Sequence, residues 1–254
     1  MKRLAGLAAF VLFSFACASA GEAGSRERVF VQALEKFDNA KGVQDYKDSA
    51  ALLEGLLQDG YQNGAVYYNL GNAHMRAGQY GYAIAAYRKA KLFRPRDAYL
   101  DANLRQALME APGHLPESAT PWWKNVLFWS GWLSYPEKFW LVAAWFGSGA
   151  ILACLALLLR RGRLYWASGA LVAVALVLSI DAALAYSEVN YARRAVVVQE
   201  SVARKGMGTN YEPAFDKPLK DGAEFTIIDR SGPWVFGHFE GIGDGWLRRE
   251  AIAE

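Results

Sequence analysis

Two long apolar runs separated by only four residues constrain this chain more than any other feature. Phe139–Leu159 and Leu164–Tyr186 are each long enough to cross the hydrocarbon core of a bilayer as a helix. The intervening Arg160-Arg161-Gly162-Arg163 leaves room only for a tight turn between two helices. The sequence therefore predicts a transmembrane hairpin whose two flanking segments lie on the same side of the membrane.

The start of the chain and the turn indicate which side that is. A basic start, the apolar stretch Leu4–Cys17 and the small residues up to Ala20 are typical of a signal peptide cleaved after Ala20. Lipidation at Cys17 is a weaker alternative, because no aliphatic residue stands three places before it. The arginines of the turn favour the cytoplasm. We therefore expect a bacterial inner-membrane protein with both terminal segments in the periplasm.

Aromatic side chains crowd both expected membrane interfaces. Because indole and phenol rings prefer the headgroup region, they predict interfacial belts and a linker over 113–137 that lies along the membrane. The alternative is that the outer tryptophans pack against the soluble domain. The outer set is Trp122, Trp123, Trp129, Trp132, Phe139 and Trp140, and the inner set is Tyr165 and Trp166.

Asp181 is an ionisable residue inside the second apolar run. A charge within a span is costly, and by default it suggests a partner helix or a polar pathway. The alternative is that Asp181 lies close enough to the outer end of the span to reach the headgroups or to stay protonated. The sequence leaves both interpretations open.

The stretch Tyr67–Pro95 matches the tetratricopeptide repeat, which consists of two packed helices. Small residues of this pattern let the two helices touch, aromatic residues fill the space around that contact, and Pro95 ends the second helix. His74 departs from the pattern, which has an aromatic residue of another kind there. The packing positions are Tyr67, Leu70, Gly71, Ala83, Tyr87, Ala90 and Pro95.

One such repeat cannot bury its apolar face alone, so its neighbours in sequence must cover it. Residues 26–39 and 46–57 each carry apolar residues at helical spacing and predict a degenerate first repeat. Asp97 is a suitable cap for a closing helix over Ala98–Met109. We therefore expect a helical repeat domain over 24–112.

Repeats of this kind form curved stacks, and the first helix of each pair lines the concave side. That face is predicted to hold an extended peptide or a helix of a protein partner. The alternative is that its asparagines bond local backbone and the face is only a scaffold. The candidate partner-binding residues are Tyr68, Asn69, Asn72, Met75 and Arg76.

Residues 194–254 contain short strand-like runs bounded by glycine, proline and aspartate. Their rhythm predicts a small all-β barrel that resembles bacterial SH3-like domains. Gly241–Gly245 is interpreted as a turn and not as a nucleotide loop, because no strand-to-helix context follows it. Trp234, Phe236 and Trp246 are predicted to form either an aromatic ligand groove or part of the core.

The chain offers little for chemistry. None of the three histidines stands at a metal-ligand spacing, and neither a nucleophile elbow nor a phosphate loop is present. We therefore expect no enzymatic activity, no catalytic residues, no metal and no cofactor. The net charge of +3 and the lack of a basic aromatic stripe argue against nucleic acid as a partner.

The order of these segments resembles the BatE-type proteins of the Bacteroides aerotolerance operon. Tyr68-Asn69-Leu70-Gly71-Asn72-Ala73 and the Ala83-Ile84 pair carry the closest likeness. The resemblance implies a non-enzymatic membrane protein that associates with von Willebrand A-type membrane proteins and a MoxR-type ATPase system in oxidative or envelope stress. A peptidoglycan-binding module built on the SH3-like segment is the alternative function.

The expected architecture is multi-domain: tetratricopeptide helices, a two-helix transmembrane hairpin and a small all-β SH3-like barrel. The expected boundaries are 1–20 for the signal peptide, 24–112 for the repeats, 113–137 for the aromatic linker, 138–160 and 164–186 for the spans, 161–163 for the cytoplasmic turn and 194–254 for the SH3-like domain.

Overall fold

The computed structural model describes residues 24–116, 129–191 and 194–254 of the chain. These residues form seven helices and five strands. The helices are α1 (24–38), α2 (Val43–Gln58), α3 (Gly64–Arg76), α4 (Tyr80–Phe93), α5 (Ala98–Glu110), α6 (Tyr135–Leu159) and α7 (Gly162–Asn190). The strands are β1 (Arg194–Val197), β2 (Glu224–Ser231), β3 (Trp234–Phe239), β4 (Gly243–Arg248) and β5 (Ile252–Ala253).

The first five helices form a stack of antiparallel pairs, and local capping sets their ends. Asn63 accepts hydrogen bonds from the N–H groups of the first turn of α3, and Asp97 does the same for α5, as its position predicts. Gly78 turns the chain between α3 and α4 with a φ of 72°, a conformation that glycine adopts at little cost.

Helices α3 and α4 pack closely through small and aromatic residues of the stretch Tyr67–Pro95. A side chain at Gly71 would overlap the Tyr87 ring, so glycine is needed for the helices to approach. Tyr87, Ala83 and Ala90 are almost fully buried in the core that α3, α4 and α5 share. On the other side, Leu53 and its neighbours on α2 join α1 and α3 in a second cluster.

Helices α6 and α7 form the predicted hairpin and are each long and apolar enough to cross a membrane. Only 11% and 22% of their most apolar windows are buried, so most of this apolar surface faces outward. Gly149 of α6 lies against Ser168 and Val172 of α7, and the Ser168 hydroxyl donates a hydrogen bond to the Gly149 carbonyl. The helices run longer than the predicted spans, because each continues beyond the apolar run on the side of the terminal domains.

The C-terminal segment forms a curled antiparallel sheet in the order β4-β3-β2-β1-β5. Phe225 and Phe239 stack inside the curl with their ring centroids 4.6 Å apart. The prediction that Gly241–Gly245 is a turn is wrong in part, because Gly243 already pairs with Phe239 in β4. The short strand β5 was not predicted, since two residues carry no periodic pattern.

The three parts meet on α4. It packs against α3 and α5 on one side, against β1 and β5 on another, and its end contacts α6 and α7. Val196 of β1 belongs to the same buried cluster as Ile84 of α4. The sheet therefore packs against the core of the helical stack through Val196, while its other buried residues form a separate cluster.

Several predictions fall on residues outside the described ranges. They are the signal peptide with cleavage at Ala20, and the part of the aromatic linker that contains Trp122 and Trp123.

Candidate functional site

The predicted concave face carries a network of polar side chains. The Tyr87 hydroxyl donates a hydrogen bond of 2.8 Å to Oδ1 of Asn72. The amide of Asn103 on α5 donates to the same Oδ1 at 3.0 Å and to the Tyr68 hydroxyl at 3.2 Å. Asn72 thus joins α3, α4 and α5. Burial raises the pKa of the Tyr87 hydroxyl, which therefore stays protonated as a donor.

The other residues proposed for this face have different surroundings. Asn69 donates to the carbonyl of Ala65, which is the local backbone bond that the alternative interpretation expected. Met75 is half-buried against the core of α3, α4 and α5. Arg76 is exposed at the end of α3. Tyr68 is half-buried, and the Arg94 guanidinium lies 5.1 Å from its ring centroid.

Those positions divide the face into a rigid floor and an accessible edge. Tyr68 and Asn72 are held by bonds to other helices, so they present a fixed polar surface. Arg76 is the charged residue among the five, and its side chain is exposed. Asn103, which completes the network, was missed by the sequence reasoning; the predicted role of α5 as a closing helix was the available signal.

His74 lies on the opposite side of α3 and is buried. Its Nδ1 is 3.0 Å from Oε1 of Gln79, its Nε2 is 3.3 Å from Oε1 of Glu54, and its ring stacks on Tyr82. His74 therefore replaces the aromatic residue of the pattern with a ring that also links α2 to α3.

A cleft of about 220 Å³ opens beside His74, between α2, α4 and β5. Its floor is apolar, and Glu54, Lys89 and Glu254 stand at its rim. Lys89 Nζ donates to the carbonyl of Val189 at 3.3 Å, and burial lowers the pKa of Lys89. The cleft thus lies where the helical stack, the sheet and the end of α7 meet.

Trp234, Phe236 and Trp246 lie on the outer face of the sheet and are half-buried. They alternate along β3 and β4 with Val235 and Leu247, which point into the core. The three side chains are therefore not members of the buried core of the sheet. Phe236 and Trp246 are paired across the strands, with ring centroids 5.0 Å apart.

This aromatic strip is defined as Trp234, Phe236 and Trp246, and the backbone of a loop borders it on one side. The backbone of Trp246 exchanges two hydrogen bonds with Arg204 in the long loop between β1 and β2. The Arg204 guanidinium in turn donates to the carbonyl of Tyr211, whose ring is exposed. At the other end, the Arg248 guanidinium lies 5.6 Å from the Trp234 ring centroid. The arrangement suits a ligand with flat or apolar groups.

Asp181 lies buried between the spans and is paired. Lys138 Nζ of α6 is 3.2 Å from Oδ1 of Asp181, and the Ser130 hydroxyl donates to the same oxygen at 2.6 Å. Lys138 also donates to Ser130 at 3.1 Å. In the sequence Lys138 stands at the start of the first apolar run, and no local pattern pairs it with Asp181. Asp181 is therefore part of an ion pair between α6 and α7, as buried charges in proteins usually are.

The junction between the sheet and α4 contains a contact that sequence cannot reveal. Gln79, at the N-cap position of α4, makes no side-chain cap. Instead Asp221, in the turn before β2, accepts hydrogen bonds from the backbone N–H groups of Tyr80 at 3.1 Å and Gly81 at 2.9 Å. A side chain at Gly81 would overlap the carbonyl of Val197, so glycine permits the approach.

A second polar contact reinforces the junction. The Arg88 guanidinium of α4 makes two hydrogen bonds with the Glu224 carboxylate of β2, at 2.9 Å and 2.8 Å. The N–H of Gly113, just after α5, donates to the backbone carbonyl of Asp221 at 2.8 Å. Burial raises the pKa of Asp221, and the N–H groups of Gly81 and Tyr80 act in the opposite direction.

Among the described residues, no group of three or more histidine, cysteine, aspartate or glutamate side chains is placed to hold a metal ion. Neither the family models nor the curated proteins that we compared with this chain include a match.

Proposed function

We propose that this chain is a non-enzymatic, membrane-anchored scaffold, in which a tetratricopeptide-type face binds a protein partner on the periplasmic side. One observation carries the proposal: Asn72 and Tyr68 are held in place by bonds from Tyr87 and Asn103. A preorganised polar surface between helices loses little freedom when a partner binds. Arg76 provides an accessible charge beside it.

The resemblance to BatE-type proteins supplies the partner class. The proposed partners are von Willebrand A-type membrane proteins that work with a MoxR-type ATPase system, in a complex linked to oxidative or envelope stress. Membrane anchoring through α6 and α7 supports this choice, because it restricts the search for a partner in the same membrane to two dimensions.

The experiment places a photoreactive amino acid at Arg76 in the full-length protein, within the producing cells. The proposal expects a cross-linked product that contains a von Willebrand A-type membrane protein. The matched control carries the same group at Lys47, which is exposed on α2, away from the concave face. If the folded protein yields the same products from both positions, or none from Arg76, the concave face does not bind the proposed partner.

A second candidate function is binding of peptidoglycan peptides by the SH3-like sheet. The observation that favours it is that the aromatic strip lies on the outer face of β3 and β4, next to the loop whose backbone bonds Trp246 at Arg204. Grooves lined by aromatic side chains are a recurring way to recognise short peptides.

The test uses the intact chain, because Val196 of the sheet is buried against α4. The protein in detergent is co-sedimented with purified wall sacculi, and Trp246→Ala is expected to abolish retention. Ile242→Ala, which changes an exposed residue of the β3–β4 turn, serves as the control and should be retained. Equal retention of wild type and Trp246→Ala would count against the strip.

A further inference from the structure

The level at which the hairpin leaves the hydrocarbon can be read from its length. From Leu159 back to Lys138, α6 contains about 22 residues and rises about 33 Å. From Gly162 to Asp181, α7 contains about 20 residues and rises about 30 Å. Both values match the hydrocarbon thickness of about 30 Å. The Lys138–Asp181 pair therefore marks the membrane edge nearest to the terminal domains, whichever side of the membrane that is.

The C-terminal end of α4 lies at almost the same level. The Phe93 and Tyr135 rings are in edge contact, with their centroids 5.5 Å apart. Tyr135 precedes Lys138 by less than one turn, so it stands about 4.5 Å above the pair. The Arg96 guanidinium bonds the Glu137 carboxylate at 2.5 Å. The headgroup layer on each side of the hydrocarbon is roughly 5–8 Å deep, so it includes this contact.

The rest of α4 runs away from the membrane. Lys89, one turn before Phe93, bonds the carbonyl of Val189. Val189 follows Asp181 by eight residues on α7, which places it about 12 Å above the pair. Helix α4 therefore stands steeply, with its last turn lowest, and α5 starts from that low end.

Exposed aromatic side chains gather at this level. Trp132 is 62% exposed and Trp140 is 76% exposed, and the Arg96 guanidinium lies 4.8 Å from the Trp132 ring centroid. Tyr99, in the first turn of α5, is 79% exposed. Rings with a polar edge and guanidinium groups are the side chains that headgroup regions favour.

We propose that the corner between α4 and α5, defined as residues 93–99, together with Trp132 and Trp140, is a membrane-contact surface that rests in the phospholipid headgroup layer. Its occupant is the bilayer itself, because the surface continues directly from the lipid-facing sides of α6. The corner thereby sets the height of the helical stack above the membrane. This inference rests on α6 and α7 crossing a bilayer.

The experiment measures depth with nitroxide spin labels on the full-length protein in phospholipid nanodiscs. Cys17 and Cys154 are replaced by alanine, and a single cysteine is introduced at Tyr99 or at Met109. Met109 is the matched control, because it is 78% exposed on the same helix, about 15 Å further from the corner. A label on the native Cys154 in the Cys17→Ala chain reports the span itself.

The label at position 99 should collide more with dissolved oxygen, and less with a water-soluble nickel chelate, than the label at position 109. Suppose that the label on Cys154 is accessible to oxygen but not to the chelate, while the labels at positions 99 and 109 are equally accessible. The protein is then anchored in the bilayer, but the proposed membrane-contact surface is wrong. If Cys154 is itself accessible to the chelate, the anchoring fails, and the membrane-contact surface fails with it. Trp132→Ala should raise the chelate accessibility at position 99, because it removes a neighbouring headgroup anchor.

Discussion

Substitution of Asp221 by alanine tests whether the sheet stabilises the helical stack. The Asp221 carboxylate accepts from the N–H groups of Tyr80 and Gly81, and α4 has no cap of its own. The loss of an aspartate cap costs about 0.5–2 kcal/mol. Leaving partly buried N–H groups without an acceptor adds to this cost. We expect the first turn of α4 to lose about 2 kcal/mol.

Hydrogen exchange of the full-length protein in detergent measures this loss directly. A change of about 2 kcal/mol corresponds to about 30-fold faster exchange where exchange reports the opening equilibrium. The effect should be confined to the Tyr80 and Gly81 amides and the nearby Gly113 amide, which bonds the backbone of Asp221. Exchange of the α3 amides should change much less, since their partners lie within α3.

Two variants serve as controls for this measurement. Asp221→Asn keeps one carbonyl oxygen that can accept, so it should give an intermediate increase. Asp216→Ala removes an exposed carboxylate from the same domain and should change nothing. If the Tyr80 and Gly81 amides of Asp221→Ala exchange as in the wild type while the protein remains folded, the cap does not stabilise α4. The reasoning that the Asp221 contact lets the sheet stabilise the helical stack would then be refuted.

Gly71→Ala should destabilise the helical stack by about 1–3 kcal/mol, because the added methyl group would overlap the Tyr87 ring. Gly55→Ala has open space around it and should be neutral or stabilising. A lower melting temperature for Gly55→Ala than for Gly71→Ala would contradict this. Lys138→Ala should cost about 3–5 kcal/mol by leaving a buried charge, and the double variant Lys138→Met, Asp181→Leu should recover most of it in thermal melts in detergent. Because burial raises the pKa of Asp221 above its ordinary 3.8, the folded state holds that proton more tightly than the unfolded state. The resulting stability is present below pH 3.8 and is lost as the pH rises through the raised pKa. The wild type should therefore lose stability relative to Asp221→Asn in that window. A gain of stability there would show that the pKa of Asp221 is lowered in the folded state.

Elements with a strong local period were predictable from the sequence. The apolar runs of α6 and α7 and the Asp97 cap of α5 each depend on residues close together in the chain. Leu100, Leu104 and Leu108 are buried as their four-residue spacing predicts. Strands were also recognisable as short apolar or aromatic runs bounded by glycine, proline or aspartate, as in β3. Such patterns report one face of one element, and this was sufficient for the element types.

Contacts between distant elements were not predictable, because no local pattern encodes them. Asp221 and Tyr80 are 141 residues apart, and Asp221 reads in sequence as an ordinary turn residue. Lys138 reads as a flanking charge of a span until α7 brings Asp181 beside it. Asn103 is a polar residue on a helix whose partner face only the fold defines. In each case the missing information was a pairing between residues, although each residue was visible.

The packing of the other parts of the chain on α4 changes how the candidate surfaces can work. If the helical stack, the spans and the sheet were linked by loose segments, a partner at Arg76 and a ligand at Trp246 would bind independently. Instead α4 contacts both other parts, and β1 begins four residues after α7 ends. The Arg88–Glu224 pair and the Asp221 cap fix the sheet to the same helix whose end meets α6. A force or a bound partner on one surface therefore acts on a unit whose parts are joined through α4, which is what the proposed scaffold would require.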